Sequence, residues 1–241
     1  PGGCAILIAV PKLSRIANFD DLDPLNAEPD VEVRTVAPGE VIPVDADLIL
    51  LPGSKATIAD LAFLRRQGWD VDILSHHRRG GRILGICGGY QMLGRTVADP
   101  DGIEGSVREA EGLGLLDIET VLSPEKSLGE RAGKHVESGK ALHGYEIHLG
   151  LSEGPDRARP FLEIAGAADG ARSADGRGEA CYLHGLMQSD GFRHAYLSSL
   201  RARRQSGVNH DALIDRTLDD LAVHLEANLD LDHMLEIAHA A

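Results

Sequence analysis

Long apolar runs, basic charge and paired cysteines are all scarce in this 241-residue sequence, and each shortage excludes a class of protein. The longest apolar stretch, Ala5–Val10, is far below the roughly 20 residues that cross a bilayer, so no membrane span is expected. No charged-then-apolar leader opens the chain, which gives no sign of a secretory signal. The 24 Lys and Arg are outnumbered by 38 Asp and Glu, for a formal net charge of −14. Such a surface repels phosphate backbones, and no nucleic-acid partner is expected. The three cysteines, Cys4, Cys87 and Cys181, are widely spaced and form no CxxC pair, which argues against a disulfide framework or a zinc site. That usage suits a reducing cytosol, so the expected location is cytoplasmic. Neither GxxxxGK[ST] nor GxGxxG occurs, and no Asp/Glu/His cluster has metal-ligand spacing. No cofactor or metal is therefore expected on this chain.

What is present is enough for a packed core: 43% of the residues are hydrophobic. Ala5–Val10, Val31–Val36, Asp47–Leu51 and Arg82–Ile86 read as strands, the first a continuous apolar run as in strands buried on both faces. Ser54 is an expected N-cap for a helix through Arg66, and Asp70–Arg79 reads as a second helix closed by Gly80-Gly81. This alternation predicts an α/β fold with a mostly parallel sheet flanked by helices. From Leu113 the texture changes. Leu115–Leu122, His143–Leu149, Phe161–Ile164 and Ala180–Leu183 read as strands, with Pro124–Lys140 and Ala165–Glu179 as loops. Three helical stretches close the chain: Gly191–Arg204, Asp211–Asn228 and Leu231–Ala240. The expected division is one domain over 1–205 and a helical extension over 206–241, packed on that domain. The opening Pro1-Gly2-Gly3, with no Met before an apolar strand, is what the later part of a longer polypeptide would show.

Chemistry concentrates in Arg82–Gly94, RILGICGGYQMLG. Cys87 stands in a Gly85-x-Cys87-x-Gly89 frame between a strand and a helix, the elbow geometry of α/β hydrolases with sulfur replacing oxygen. A helix N-terminus behind the thiol favours the reactive thiolate, and the Gly88 N–H would face a developing oxyanion. Spacing alone leaves a buried structural cysteine as the alternative. A cysteine nucleophile needs a base, and eleven histidines are available. His184 ends the strand-like run Ala180–Leu183, at the sheet edge where open parallel sheets build their sites. His143 and His148, in HGYEIHLG, compete on the same argument. Pro52-Gly53 ends another strand, so its backbone could supply a second oxyanion donor.

GICGGYQMLG (85–94) resembles the nucleophile motif of class I glutamine amidotransferases, whose cysteine sits in a G-x-C-x-G elbow followed by Gln. Within that superfamily the chain is most similar to the glutaminase domains of the cobyric and cobyrinic acid synthase branch. Four further segments carry the similarity in order: PKLSRIANFDDLDPL (11–25), LPGSKATIADLAFLRRQG (from Leu51), HGYEIHLG (143–150) and YLHGL (182–186). The resemblance implies a class I amidotransferase fold, flavodoxin-like, and a glutamine-hydrolysing enzyme. Cys87 would be the nucleophile and His184 its base and acid. Gly53 and Gly88 would supply oxyanion amides, and Gln91 would line the glutamine pocket. The superfamily's usual His-x-Glu is not met, because Leu186 stands two residues past His184. Glu146 and a carboxylate from another domain are both open as the group that orients the histidine. The branch further implies a partner, an ATP-dependent synthase domain holding ATP and Mg. With it, ammonia from glutamine would amidate corrinoid carboxylates in cobalamin biosynthesis, as in cobyric acid synthases. Alternatives are the glutaminase of a related amidotransferase, acting in cobyrinic acid a,c-diamide or peptidoglycan-precursor synthesis, and a non-catalytic domain of the same fold.

Overall fold

The run LILL, Leu48–Leu51, shows how the sequence builds the centre of the molecule, because all four side chains are fully buried. Side chains alternate across a strand. Ile49 and Leu51 therefore pack with Ile58, Leu61, Leu64, Trp69 and Ile73 on one face. Leu48 and Leu50 pack with Leu22, Leu25, Phe192 and Leu197 on the other. A strand covered on both sides has no polar face, which is why it reads as a continuous apolar run.

The computed structural model describes residues 5–240, so Cys4 lies outside the described residues. Among these, one sheet has six strands. From the edge they run Ala171–Arg172, Gly178–Cys181, Arg82–Ile86, Leu48–Leu51, Ile6–Pro11 and Val31–Val36. All neighbours pair in parallel except the edge strand Ala171–Arg172. Helices Thr57–Arg66 and Trp69–Arg78 cross between Leu48–Leu51 and Arg82–Ile86. The mostly parallel, helix-flanked sheet expected from the alternation is present.

The second sheet is largely antiparallel and is dominated by one long hairpin, Glu119–His135 against Ala141–Glu153. This corrects the reading of Pro124–Lys140 as a loop. Most of that segment is strand, held by register pairs such as Leu128 with Ile147 and Ser127 with His148. Its side chains are mostly exposed or half-buried, so it lacks the apolar alternation that marks a strand in sequence. Ala165–Glu179 likewise contains short strands at Ala167–Asp169 and Ala171–Arg172. Ser54 is not the N-cap. The helix starts at Thr57 after Ala56, while the Ser54 hydroxyl accepts from Ala56 N and donates to Asp60.

The chain leaves the first sheet at Cys181 and enters the second at Leu183–His184, where Tyr145 pairs with His184. His184 thus sits where the two sheets meet. The chain divides into two compact units, one through Ser206 and one from Gly207 on. In the second, His210–Asn228 and Leu231–Ala240 are helices, the first capped by Asn209 accepting from Ala212 N. No helix among the described residues is long and apolar enough to cross a membrane.

Candidate active site

Three parallel strands, Leu48–Leu51, Arg82–Ile86 and Gly178–Cys181, end side by side in register, Leu51 opposite Gly85 and Cys181 opposite Ile86. The turns that leave these ends carry the chemistry. Cys87 follows the central strand directly and adopts φ 53°, ψ −109°, a left-handed conformation costly for any residue with a β-carbon. The surroundings impose it. Cys87 N is tied to the Cys181 carbonyl at 2.9 Å, and the helix Gly88–Leu93 begins at the next residue. A β-carbon on Gly88 would stand 2.8 Å from Ser54 N, so the Cys87 turn and the Pro52-Gly53 turn can touch only because Gly88 has none.

His184 lies on the other side of the thiol. It is 1% exposed, and its Nδ1 stands 2.7 Å from Asp21 Oδ2. The second oxygen of Asp21 accepts from Gly185 N, also at 2.7 Å. Burial opposes a charge on the ring, but the bond to Asp21 and the nearness of the Cys87 sulfur outweigh it, and the imidazole pKa is pushed up to about 10. Nε2 is buried without a hydrogen-bond partner, and the Cys87 thiol donates to the Ile147 carbonyl at 3.6 Å. The imidazole therefore lines the same cavity as the thiol and is held at its far nitrogen by Asp21.

Cys87, His184 and Gln91 line one cavity of about 350 Å³, together with Thr57, Lys126 and residues of the Ala141–Glu153 strand. Gln91 forms part of its wall. Its Oε1 accepts from Thr57 Oγ1 at 2.8 Å and its Nε2 donates to the Leu149 carbonyl at 3.0 Å. Gly53 stands beside the His184 ring, where a β-carbon would come within 2.9 Å of His184 Cε1. The five residues singled out in sequence, Cys87, His184, Gly53, Gly88 and Gln91, are thus brought together.

The competing histidines are placed differently. His143 faces a separate groove with Tyr145, Arg131 and Gln188, and its Nδ1 is 3.2 Å from Ser189 Oγ. His148 lines the cavity, but its ring stacks on Tyr182 at 3.7 Å and burial lowers its pKa. Neither has a carboxylate partner of the kind His184 has. Glu146, one of the two open choices for the orienting group, is taken up by Arg131 and Ser127, each at 3.1 Å. The residue that sequence reasoning missed is Asp21, 163 positions before His184; the one signal was its place inside the matched segment PKLSRIANFDDLDPL.

As to metals, His135, Glu137 and Glu179 bring ligand atoms within 4.8 Å of one another. Both carboxylates are already neutralised, Glu179 by Arg82 and Arg172 and Glu137 by Arg172. This group is an ion-pair network that runs from the buried Glu179 to the exposed Glu137, and a cation there would meet two guanidinium groups.

Residues 7–192 match the family model for the CobB/CobQ-like glutamine amidotransferase domain. A cobyric acid synthase of Cereibacter sphaeroides is 58% identical over 237 residues, 98% of this chain and 49% of its own length. That of Bradyrhizobium diazoefficiens is 53% identical over 238 residues, 99% and 49%. The chain thus spans about half the length of the curated relatives it matches. Among solved structures, PurLQS from Thermotoga maritima superposes with a TM-score of 0.61 at 17% identity, over 82% of this chain and all of that one. A second structure, a glutamine amidotransferase, gives 0.57 at 15% identity, over 80% and 97%. At such identities the likeness is one of fold, that of the class I glutamine amidotransferases. The family match covers the strands, the cysteine turn and the histidine that build the cavity, and the chain belongs to the CobB/CobQ-like glutamine amidotransferase domain family.

Proposed function

We propose that this chain is the glutaminase half of a cobyric acid synthase, releasing ammonia from glutamine at Cys87 for an ATP-dependent synthase domain. The observation that carries this reading is the strained Cys87 turn opening into the cavity that His184 also lines. His184 Nε2 takes the thiol proton, and Cys87 Sγ attacks the side-chain amide carbon of glutamine. The oxyanion is met by the Gly88 N–H at the helix start and by the Gly53 turn beside it. The C–N bond then breaks, with the proton on Nε2 passing to the departing nitrogen as ammonia. Water, deprotonated by Nε2, hydrolyses the thioester to glutamate, and the proton returns to sulfur. The synthase half would hold ATP and Mg, activate corrinoid carboxylates and receive the ammonia, in cobalamin biosynthesis. A reducing, cytoplasmic setting suits a free thiol nucleophile.

The test is glutamate release from free glutamine by this chain, with and without a synthase domain, alongside Cys87→Ala and His184→Ala. Either substitution is expected to lower kcat by roughly 10³-fold or more while the fold persists, because the two side chains act as a unit. Release that survives Cys87→Ala defeats the proposal. No release even with the synthase domain supports a non-catalytic domain of this fold.

A further inference from the structure

We infer that Asp21 is the positioning carboxylate of the cysteine–histidine pair, so that the acid comes first in the chain, in the order Asp21, Cys87, His184. The inference rests on the glutaminase reading above and identifies the group that orients its base. The superfamily pattern puts this carboxylate two residues past the histidine, where this chain has the fully buried Leu186. Leucine can offer no acceptor there, and the vacant role is filled from the opposite end of the sequence.

Asp21 is 2% exposed and His184 1%, so the contact between them is shielded from water. Its two oxygens do different work. One meets His184 Nδ1 at 2.7 Å, and the other accepts from Gly185 N at 2.7 Å, fixing both the ring and the peptide that follows it. A carboxylate only accepts, so Nδ1 carries a proton toward Asp21 and Nε2 is the nitrogen left to exchange its proton with the Cys87 sulfur. The groups facing the ring are Asp21, the Cys87 thiol and Tyr145, with His148 close enough to act electrostatically. Tyr145 covers the imidazole with ring centroids 5.4 Å apart, and its hydroxyl is 3.4 Å from Asp20 Oδ2. Neighbouring aspartates therefore hold the ring's edge and its cover.

The segment that delivers Asp21 is anchored to the rest of the site. Ile16–Ala17 pairs with Gly53–Ser54, Lys55 N donates to the Arg15 carbonyl, and Asp60 accepts from the Ser14 and Arg15 amides. The same stretch thus braces the Gly53 turn and presents the carboxylate. This gives PKLSRIANFDDLDPL a task that its sequence does not announce. Chain order is free in such triads, because only the geometry of the three groups matters.

The experiment compares wild type, Asp21→Asn and, as an exposed neighbour outside the site, Asp23→Asn. It reads kcat and KM for glutamine hydrolysis over a broad pH range and, independently of glutamine, the pH profile of Cys87 alkylation by iodoacetamide. In Asp21→Asn we expect kcat to fall about 10²- to 10⁴-fold with little change in KM. The alkylation midpoint should move to higher pH, because the imidazolium that stabilises the thiolate has lost its partner. Asp23→Asn should match wild type. Unchanged kcat and an unchanged alkylation profile in folded Asp21→Asn overturn the inference. If that variant does not fold, ¹⁵N-histidine NMR of the wild type decides. His184 titrating well above its ordinary range, with the proton of the neutral ring kept on Nδ1, supports the assignment; ordinary titration with the neutral ring's proton on Nε2 overturns it. A wild type that hydrolyses no glutamine but keeps the Asp21-dependent alkylation profile would count against the glutaminase reading and leave the pairing standing.

Discussion

Gly89 lies directly beneath Leu51: a β-carbon on Gly89 would come within 2.1 Å of the Leu51 carbonyl oxygen. This contact locks the start of the helix Gly88–Leu93 against the end of the neighbouring strand. The strain of Cys87 at positive φ persists because such contacts leave the turn no room to relax.

Gly89→Ala should therefore damage both stability and reactivity. The clash is with backbone, which cannot rotate away, so a loss of about 1–3 kcal/mol or more is expected in urea unfolding. Alkylation of Cys87 should slow in parallel as the turn shifts. Wild-type stability in this variant would show that the strand end yields easily and that the contact does not hold the elbow.

Gln91→Leu tests the cavity wall. The substitution removes the Gln91 bonds to the Thr57 hydroxyl and the Leu149 carbonyl, while the Tyr182 hydroxyl keeps Ser152, at about 1–3 kcal/mol of stability for a buried group left unsatisfied. Because the side chain tethers the strand that faces Cys87, KM for glutamine should rise more than kcat falls. A stability loss with KM unchanged would make Gln91 scaffold alone.

His135 provides a pH test far from the chemistry. Its ring packs on Phe161 and Phe192, with centroids at 4.9 and 5.2 Å, and Nδ1 bonds Ser138. Burial lowers its pKa to about 4, with Glu137 opposing the shift and Arg172 and Arg82 reinforcing it. As pH falls below the ordinary histidine value near 6.5, the unfolded chain takes up this proton and the folded protein does not. The stabilisation is thus present above that value and is lost as pH falls toward 4, by up to about 3 kcal/mol. In thermal melts the advantage of wild type over His135→Gln should shrink over this window. An advantage that stays constant with pH would rule out the neutral buried histidine.

The parts legible in the sequence share a local cause. Leu48–Leu51 and Arg82–Ile86 read as buried strands because cover on both faces demands an unbroken apolar run. The Cys87 turn was legible because its glycines are required within five residues of one another. His184 could be named only among rivals, since a histidine at a strand end does not reveal which cavity it enters. The hairpin around Ser127–Arg131 was illegible because pairing with the Ala141–Glu153 strand, rather than burial, makes it a strand. Asp21 was hidden for a related reason. No periodicity links residues 163 positions apart, and an aspartate in a polar loop looks like a solvated charge until the fold buries it against an imidazole. By itself the sequence determined the alternating strands and helices and the nucleophile turn, which depend on near-neighbour sterics and burial. Only the tertiary structure decided which histidine and which carboxylate lie beside that cysteine, because their meeting depends on how distant strand ends are brought to one edge of the sheet.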